Sequence, residues 1–280
     1  MTLETQSTRL NRSPYLKPLI FADPGAGKTV LAGSSPNALL IRPPTDGTES
    51  LEKFGYECEE MEVETWAEMD EVYDHFSLSK SNEFEWCWLD GISLFQEYGL
   101  DDIMDELVRP VEKGGKGKIH REPYNPGIEN YGTNMNHLSK WIRQMVTLPI
   151  NFGVTAIPER VEDRDGEVTY MPYVQGKNMS AKISGYFGLV ANLRVVKGDD
   201  GEFHRVLYVQ KDGKWYAKDR YNLTDKGYIV DPTIPKIVDL REKARGARTK
   251  KAAKKTTKKT ASRKAPAKEK PAKKAATRKR

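Results

Sequence analysis

Ala22-Asp-Pro-Gly-Ala-Gly-Lys-Thr29 (ADPGAGKT) follows a short apolar run, Leu16–Phe21 (LKPLIF), and leads into Val30 and Leu31. The run reads as a strand, and the residues from Lys28 read as the start of a helix. Between them Gly25 and Gly27 permit backbone conformations that aim successive N–H groups inward. A concave loop that opens onto a first helical turn binds phosphate. The spacing fits the Walker A pattern, with Ala22 in place of its first glycine. In that geometry Asp23, Pro24, Gly25, Ala26, Gly27, Lys28, Thr29 and Val30 surround the phosphates of ATP. Lys28 reaches the β- and γ-phosphates, and the Thr29 hydroxyl binds Mg²⁺.

Such a loop needs a second carboxylate to hold Mg²⁺ through water. Phe84–Leu89 (FEWCWL) reads as a buried strand, and Asp90 stands at its end. That is the Walker B position. Asp90 also stands where a cap for a helix starting at Ile92 belongs, and the two roles coexist.

Working outward, Ala38–Ile41 is a further short strand, stopped by Pro43 and Pro44. Trp66, Met69, Val72 and Phe76 have helical spacing, Ile92–Val108 reads as helix, and Leu138, Trp141, Ile142 and Met145 line one face of a helix over Tyr131–Thr147. Phe152–Ala156 is the next strand. Residues 109–130 and 157–180 form two long polar loops, the second with a hairpin turned at Asp165–Gly166. A short helix near Ser180–Tyr186 precedes strands at Leu189–Val196, Phe203–Val209 and Trp215–Ala217. Alternating strands and helices predict an α/β fold with a mostly parallel sheet covered on both faces and extended at one edge by the late hairpins.

Charge divides the chain. It holds 46 Lys/Arg and 40 Asp/Glu, a net of +6. Residues 241–280 hold 19 Lys/Arg and 2 Asp/Glu, which leaves 27 against 38 in residues 1–240. An acidic body thus precedes a basic tail of Lys, Ala, Thr and Pro that lacks the apolar bulk to offset its ordering entropy. The reading is a flexible N-terminus over 1–14, a core over 15–240 and a disordered tail over 241–280. A tail of this kind displaces condensed cations from nucleic acid and binds it without sequence preference. Two cysteines, Cys58 and Cys87, form no C-x-x-C pair, no stretch approaches about 18 apolar residues, and the N-terminus has no secretory apolar region. These features point away from a membrane protein and towards the cytoplasm.

Three segments carry a more specific resemblance: Ala38–Thr48 (ALLIRPPTDGT), Tyr173–Val195 (YVQGKNMSAKISGYFGLVANLRV) and Tyr216–Leu223 (YAKDRYNL). With the two motifs above, they make the chain over roughly 15–230 resemble the RecA-like ATPase core, most closely the compact phage-type ATPases that act in recombination as single-strand annealing proteins. The resemblance implies a RecA-like P-loop NTPase core, ATP and Mg²⁺ as cofactors, a ring or filament of identical subunits, and single-stranded DNA as partner. It assigns the water-activating carboxylate to Asp46, where the family usually has Glu; the alternative is a turn-forming Asp-Gly. It assigns a γ-phosphate sensor to Glu159. It likens Lys218-x-Arg220 to a K-x-R finger that reaches across a subunit interface, a task suited to arginine's permanent charge and planar fork. The loop with Lys113, Lys116, Lys118, His120, Arg121 and Tyr124 lies where such proteins touch DNA, with charge to track a backbone and a ring to stack on a base. Three functions stay open: a DNA-dependent ATPase of recombination and annealing, a ring-forming DNA motor or helicase loader, and an ATP-gated DNA-coating protein with little turnover.

Overall fold

The computed structural model describes residues 13–45, 47–79, 83–108 and 125–246. Asp46, the segment carrying Lys113, Lys116, Lys118, His120, Arg121 and Tyr124, and the tail from residue 247 lie outside the described residues. In chain order the elements are β1 (Pro18–Phe21), α1 (Lys28–Gly33), β2 (Ala38–Arg42), α2 (Glu49–Lys53), β3 (Glu59–Glu62), α3 (Trp66–Leu78), β4 (Trp86–Leu89), α4 (Ile92–Val108), α5 (Ile128–Thr147), β5 (Asn151–Ala156), β6 (Pro158–Glu162), β7 (Val168–Pro172), α6 (Met179–Tyr186), β8 (Leu189–Lys197), β9 (Phe203–Tyr208), β10 (Lys218–Asp219) and β11 (Tyr228–Val230). A last helix, α7, spans 234–246.

The main sheet has the order β11-β9-β8-β1-β5-β4-β2-β3, with β10 also paired to β8. From β3 to β8 every pairing is parallel, whereas β9, β10 and β11 are antiparallel additions at the β8 edge. This is the mostly parallel α/β core expected from the sequence, extended at the predicted edge. β6 and β7 form a separate hairpin, with its turn at Asp165–Gly166 as read.

The pleat divides each strand between two cores. Leu19 and Phe21 of β1 and Cys87 and Leu89 of β4 face one core, with Trp66, Met69, Leu138, Trp141 and Ile183 from α3, α5 and α6. Ile20, Trp86 and Trp88 face the other, with Leu31 of α1 and Ile234 and Ile237 of α7. Thr65 caps α3 and receives Glu68 in return, a capping box that fixes where that helix starts.

Four local readings are revised. β3 (EEME) was hidden because its four residues carry three glutamates; they hold the edge by pairing, with Glu60 and Glu62 on Arg42 at 2.9 and 2.7 Å. The short helix α2 was likewise missed. Trp215–Ala217 is no strand: Trp215 closes a turn on Asp212, and its ring stacks on Tyr170 at 4.5 Å. The body does not stop at residue 240, because α7 continues to 246. Arg241, read as the first residue of the tail, is 6% exposed. Its guanidinium donates to the carbonyls of Ser13, Pro14 and Tyr15 and lies over the Tyr221 ring. Among the described residues no helix is long and apolar enough to cross a membrane.

Gly153 shows how tightly β5 is fitted. It pairs with Trp88, and a Cβ at this position would lie 2.3 Å from the indole ring. That ring stacks on Trp86 at 5.7 Å and donates its Nε1–H to Ser35 at 2.8 Å, so it has nowhere to retreat. Gly153→Ala is expected to cost about 1–3 kcal/mol of stability, read as a lowered denaturation midpoint; an unchanged midpoint contradicts this packing.

Candidate nucleotide-binding site

The loop between β1 and α1 opens at the carboxyl end of the parallel strands, where α/β sheets bind their ligands. Gly25 and Gly27 have φ of 78° and 99°, left-handed values that side chains rarely adopt. Gly27 is the last residue before α1, whose first-turn N–H groups have no partner within the helix. The Lys28 ammonium donates back across the loop to the carbonyls of Ala22 and Asp23 at 3.0 and 3.2 Å. These bonds hold the lysine folded over the cradle it serves.

A cleft of about 570 Å³ extends from this loop. Pro24, Gly25, Gly27, Lys28, Thr29 and Val30 line it, as does Asp90. Asp23 and Ala26 do not line it: Asp23 is exposed, and Ala26 is turned into the core. Lys28, Thr29 and Asp90 therefore share one cavity although more than sixty residues separate Asp90 from the loop.

Asp90 is 3% exposed and follows β4. A buried carboxylate needs partners. The Thr155 hydroxyl donates to Asp90 Oδ1, and the N–H of Gly91 donates to the same hydroxyl at 2.8 Å. Thr155 sits on β5, between β4 and β1, and aims the carboxylate. Sequence reading missed it; the available signal was a lone hydroxyl in the otherwise apolar end of a buried strand. Among the described residues no three His, Cys, Asp or Glu gather as a metal cage. The set that is present, a threonine hydroxyl and one buried carboxylate beside a phosphate loop, is the hard-oxygen environment in which Mg²⁺ keeps several waters and takes its remaining ligands from phosphate.

The other residues read from the sequence do not join this cavity. Glu159 lies on β6 and does not line the cleft. Its carboxylate accepts from the Ser180 hydroxyl on α6, and burial raises its pKa against the opposing pull of that bond. Lys218 and Arg220 lie at the opposite end of the sheet. Lys218 pairs with Val190 near the start of β8, and the Arg220 N–H bonds the Gly188 carbonyl just before it. The Lys218 ammonium donates to the carbonyls of Ser184 and Gly185 at 2.6 and 3.3 Å. Burial, and then the neighbouring Arg220 charge, lower its pKa to about 8. Cleft residues that sequence reading did not single out are Ser93, Leu94 and Glu97 of α4, Ser50, Lys53 and Phe54 around α2, and Arg205 of β9.

The AAA domain family model matches residues 15–221, which include the phosphate loop and Asp90. The chain belongs to the AAA domain family. This AAA domain is a P-loop ATPase fold by its motifs and by its topology. No curated protein matches it. Among solved structures it is similar to a KaiC-like protein from Pyrococcus horikoshii OT3, at 11% identity and a TM-score of 0.37 over 78% of this chain and 89% of that one. It is also similar to the flagellar accessory protein FlaH of Methanocaldococcus jannaschii, at 8% identity and a TM-score of 0.39 over 77% of this chain and 84% of that one. For the ATPase DotB of Legionella pneumophila the values are 8% and 0.30, over 85% and 54%.

Thr155→Val removes the hydroxyl's hydrogen bond to Asp90 and the one it accepts from Gly91 while nearly preserving volume. It is expected to weaken the Mg²⁺ affinity of the nucleotide complex about 10-fold, with nucleotide binding in chelator unchanged. A Mg²⁺ titration of bound fluorescent ATP reads this; equal Mg²⁺ affinity in the variant refutes the positioning role.

Proposed function

We propose that this AAA domain hydrolyses Mg²⁺·ATP and couples turnover to single-stranded DNA, acting in recombination as an annealing or strand-pairing ATPase built from identical subunits. The observation that carries the ATP half is the convergence of Lys28, Thr29 and Asp90 on one cleft at the carboxyl ends of the parallel strands. Lys28 neutralises phosphate charge, and Thr29 and Asp90 hold the cation that bridges the β- and γ-phosphates. The water-activating carboxylate is Asp46 on the family resemblance. Glu97 is the second carboxylate among the described residues that line the cleft and competes for that role.

Charge supports the DNA half. Residues 247–280 carry 16 Lys/Arg against a single Glu, and Lys113, Lys116, Lys118, Arg121 and Tyr124 combine cations with an aromatic ring. Lys218 and Arg220 lie too far from their own phosphate loop to serve it and suit a neighbour's γ-phosphate. An arginine supplied in trans contributes about 10³–10⁵ in rate in other P-loop systems. Glu159 is kept as a γ-phosphate sensor only through movement of β6 towards the cleft.

Steady-state ATPase assays with and without single-stranded DNA test this reading. DNA is expected to stimulate turnover, and Lys28→Ala to abolish it. ATP binding without turnover under both conditions favours the DNA-coating protein instead. Annealing of complementary strands, against displacement of one strand, separates the recombination role from a motor. Arg220→Ala is expected to bind ATP normally and turn over at least 100-fold more slowly, with partial rescue on mixing with Lys28→Ala; no rescue at any ratio removes the trans finger. Truncation after Gly246, which leaves α7 intact, is expected to weaken DNA binding and flatten its salt dependence; an unchanged slope removes the tail from the interface.

A further inference from the structure

One wall of the cleft comes from β9, far from the phosphate loop in sequence. Arg205, opposite Val195 in the β8–β9 register, is half-buried and lines the cleft. Its Nε donates to the Ala26 carbonyl at 3.2 Å. A Cβ on Gly27 would lie 2.5 Å from that same nitrogen, so the guanidinium rests directly on the loop. Its carbon lies 4.8 Å from the centre of the Phe54 ring, which is 40% exposed at the end of α2. The root of the side chain is pinned as well: the Arg205 N–H donates to Asp231 Oδ1 at 3.1 Å, and the Asp231 N–H donates to the Arg205 carbonyl at 2.6 Å.

This is an unfavourable place for an arginine standing alone. The guanidinium stays charged at any working pH and carries five donors. Of these, the Nε–H is used by Ala26, and among the described residues no carboxylate forms an ion pair with it. Lys28, Lys53 and Arg205 line one cavity beside the phosphate loop. The cleft's carboxylates, Asp90 and Glu97, belong to the β4–α4 side. A polyanion lying along the loop satisfies all of these positive groups at once.

We infer that Arg205 is a phosphate-contacting residue supplied by the same chain, with Phe54 holding its guanidinium flat above the loop so that its terminal nitrogens close over the triphosphate. The inference rests on the proposed nucleotide binding and extends it. It gives the site a cis arginine distinct from Arg220, which belongs to the other end of the sheet. It also ties the β8–β9–β11 edge to nucleotide occupancy, because the strand that carries Arg205 pairs with both β8 and β11.

The test compares ATP with inorganic tripolyphosphate, which has the charge but no base. Binding of each is measured by calorimetry for the full chain, Arg205→Ala, Arg205→Lys and Phe54→Leu. Arg205→Ala is expected to weaken both ligands by the same ~10–100-fold, Arg205→Lys to recover part of the loss, and Phe54→Leu to weaken both by a smaller factor. Arg205→Gln keeps the length of the side chain and serves if the alanine variant does not fold, as judged by its thermal midpoint. Wild-type affinity for both ligands in Arg205→Ala overturns the inference. So does a loss confined to ATP, which makes Arg205 a base-stacking residue instead. If the unmodified chain binds ATP and tripolyphosphate and only Lys28→Ala fails, the nucleotide reading stands and this inference falls. If the unmodified chain binds neither, both fall.

Discussion

The width of the site is set by one pairing choice: β5 stands between β1 and β4. β1 launches the phosphate loop, and β4 ends in Asp90. With one strand between them they lie two pairing steps apart, about 10 Å. In the proposed nucleotide complex, phosphate oxygens and a hydrated cation would occupy that gap beside Thr29. The intervening strand does more than space the two. It supplies Thr155, which holds Asp90, and Gly153, which lets the Trp88 ring lie flat across the sheet. Ala156 at its end accepts the N–H of Ala22, which ties the start of the loop to the same strand.

Electrostatics then divide the cavity in two. On the β4–α4 side a buried carboxylate is aimed by a hydroxyl. On the α1–α2–β9 side the charges are positive. Lys28 is satisfied for the moment by two loop carbonyls, bonds that are easily exchanged for phosphate oxygens. Under the proposed function Asp90 would hold a cation, and Lys28 and Arg205 would take phosphate oxygens.

The parts of this arrangement legible in the sequence are those with local signatures. Gly25 and Gly27 are demanded by backbone conformation, and Lys28 and Thr29 follow at fixed offsets. Asp90 ends an apolar run that reads as a strand. The parallel sheet and its antiparallel edge follow from the order of strands and helices. What escaped reading depends on register or on tertiary partners. Arg205 reaches the loop only because β9 pairs with β8 in one register, and nothing around His204 or Val206 hints at it. The Glu159 assignment relied on distance from the end of β5, but that strand turns into a separate hairpin, and Ser180 draws the carboxylate to α6. The cleft is instead served from β5 by Thr155, which is short, buried and easily read as filler. The boundary at residue 240 erred for a similar reason. Arg241 looks like the first of many basic residues until three carbonyls and the Tyr221 ring are found around it.

The sheet carries cationic groups at both ends, and its length keeps them apart. Even the four-residue β1, at about 3.3 Å per residue, puts more than 13 Å of strand between the start of the sheet and the phosphate loop. Arg205 stands at the carboxyl end with that loop. Lys218 and Arg220 stand at the amino end, beside the start of β8 and facing away from the cleft. There burial, and then the neighbouring Arg220 charge, lower the pKa of Lys218, whose ammonium donates to the backbone carbonyls of Ser184 and Gly185. Under the proposed function the chain's own triphosphate would lie at the other end of the sheet. In the proposed assembly of identical subunits, a neighbour's triphosphate is the anion that would answer Lys218 and Arg220.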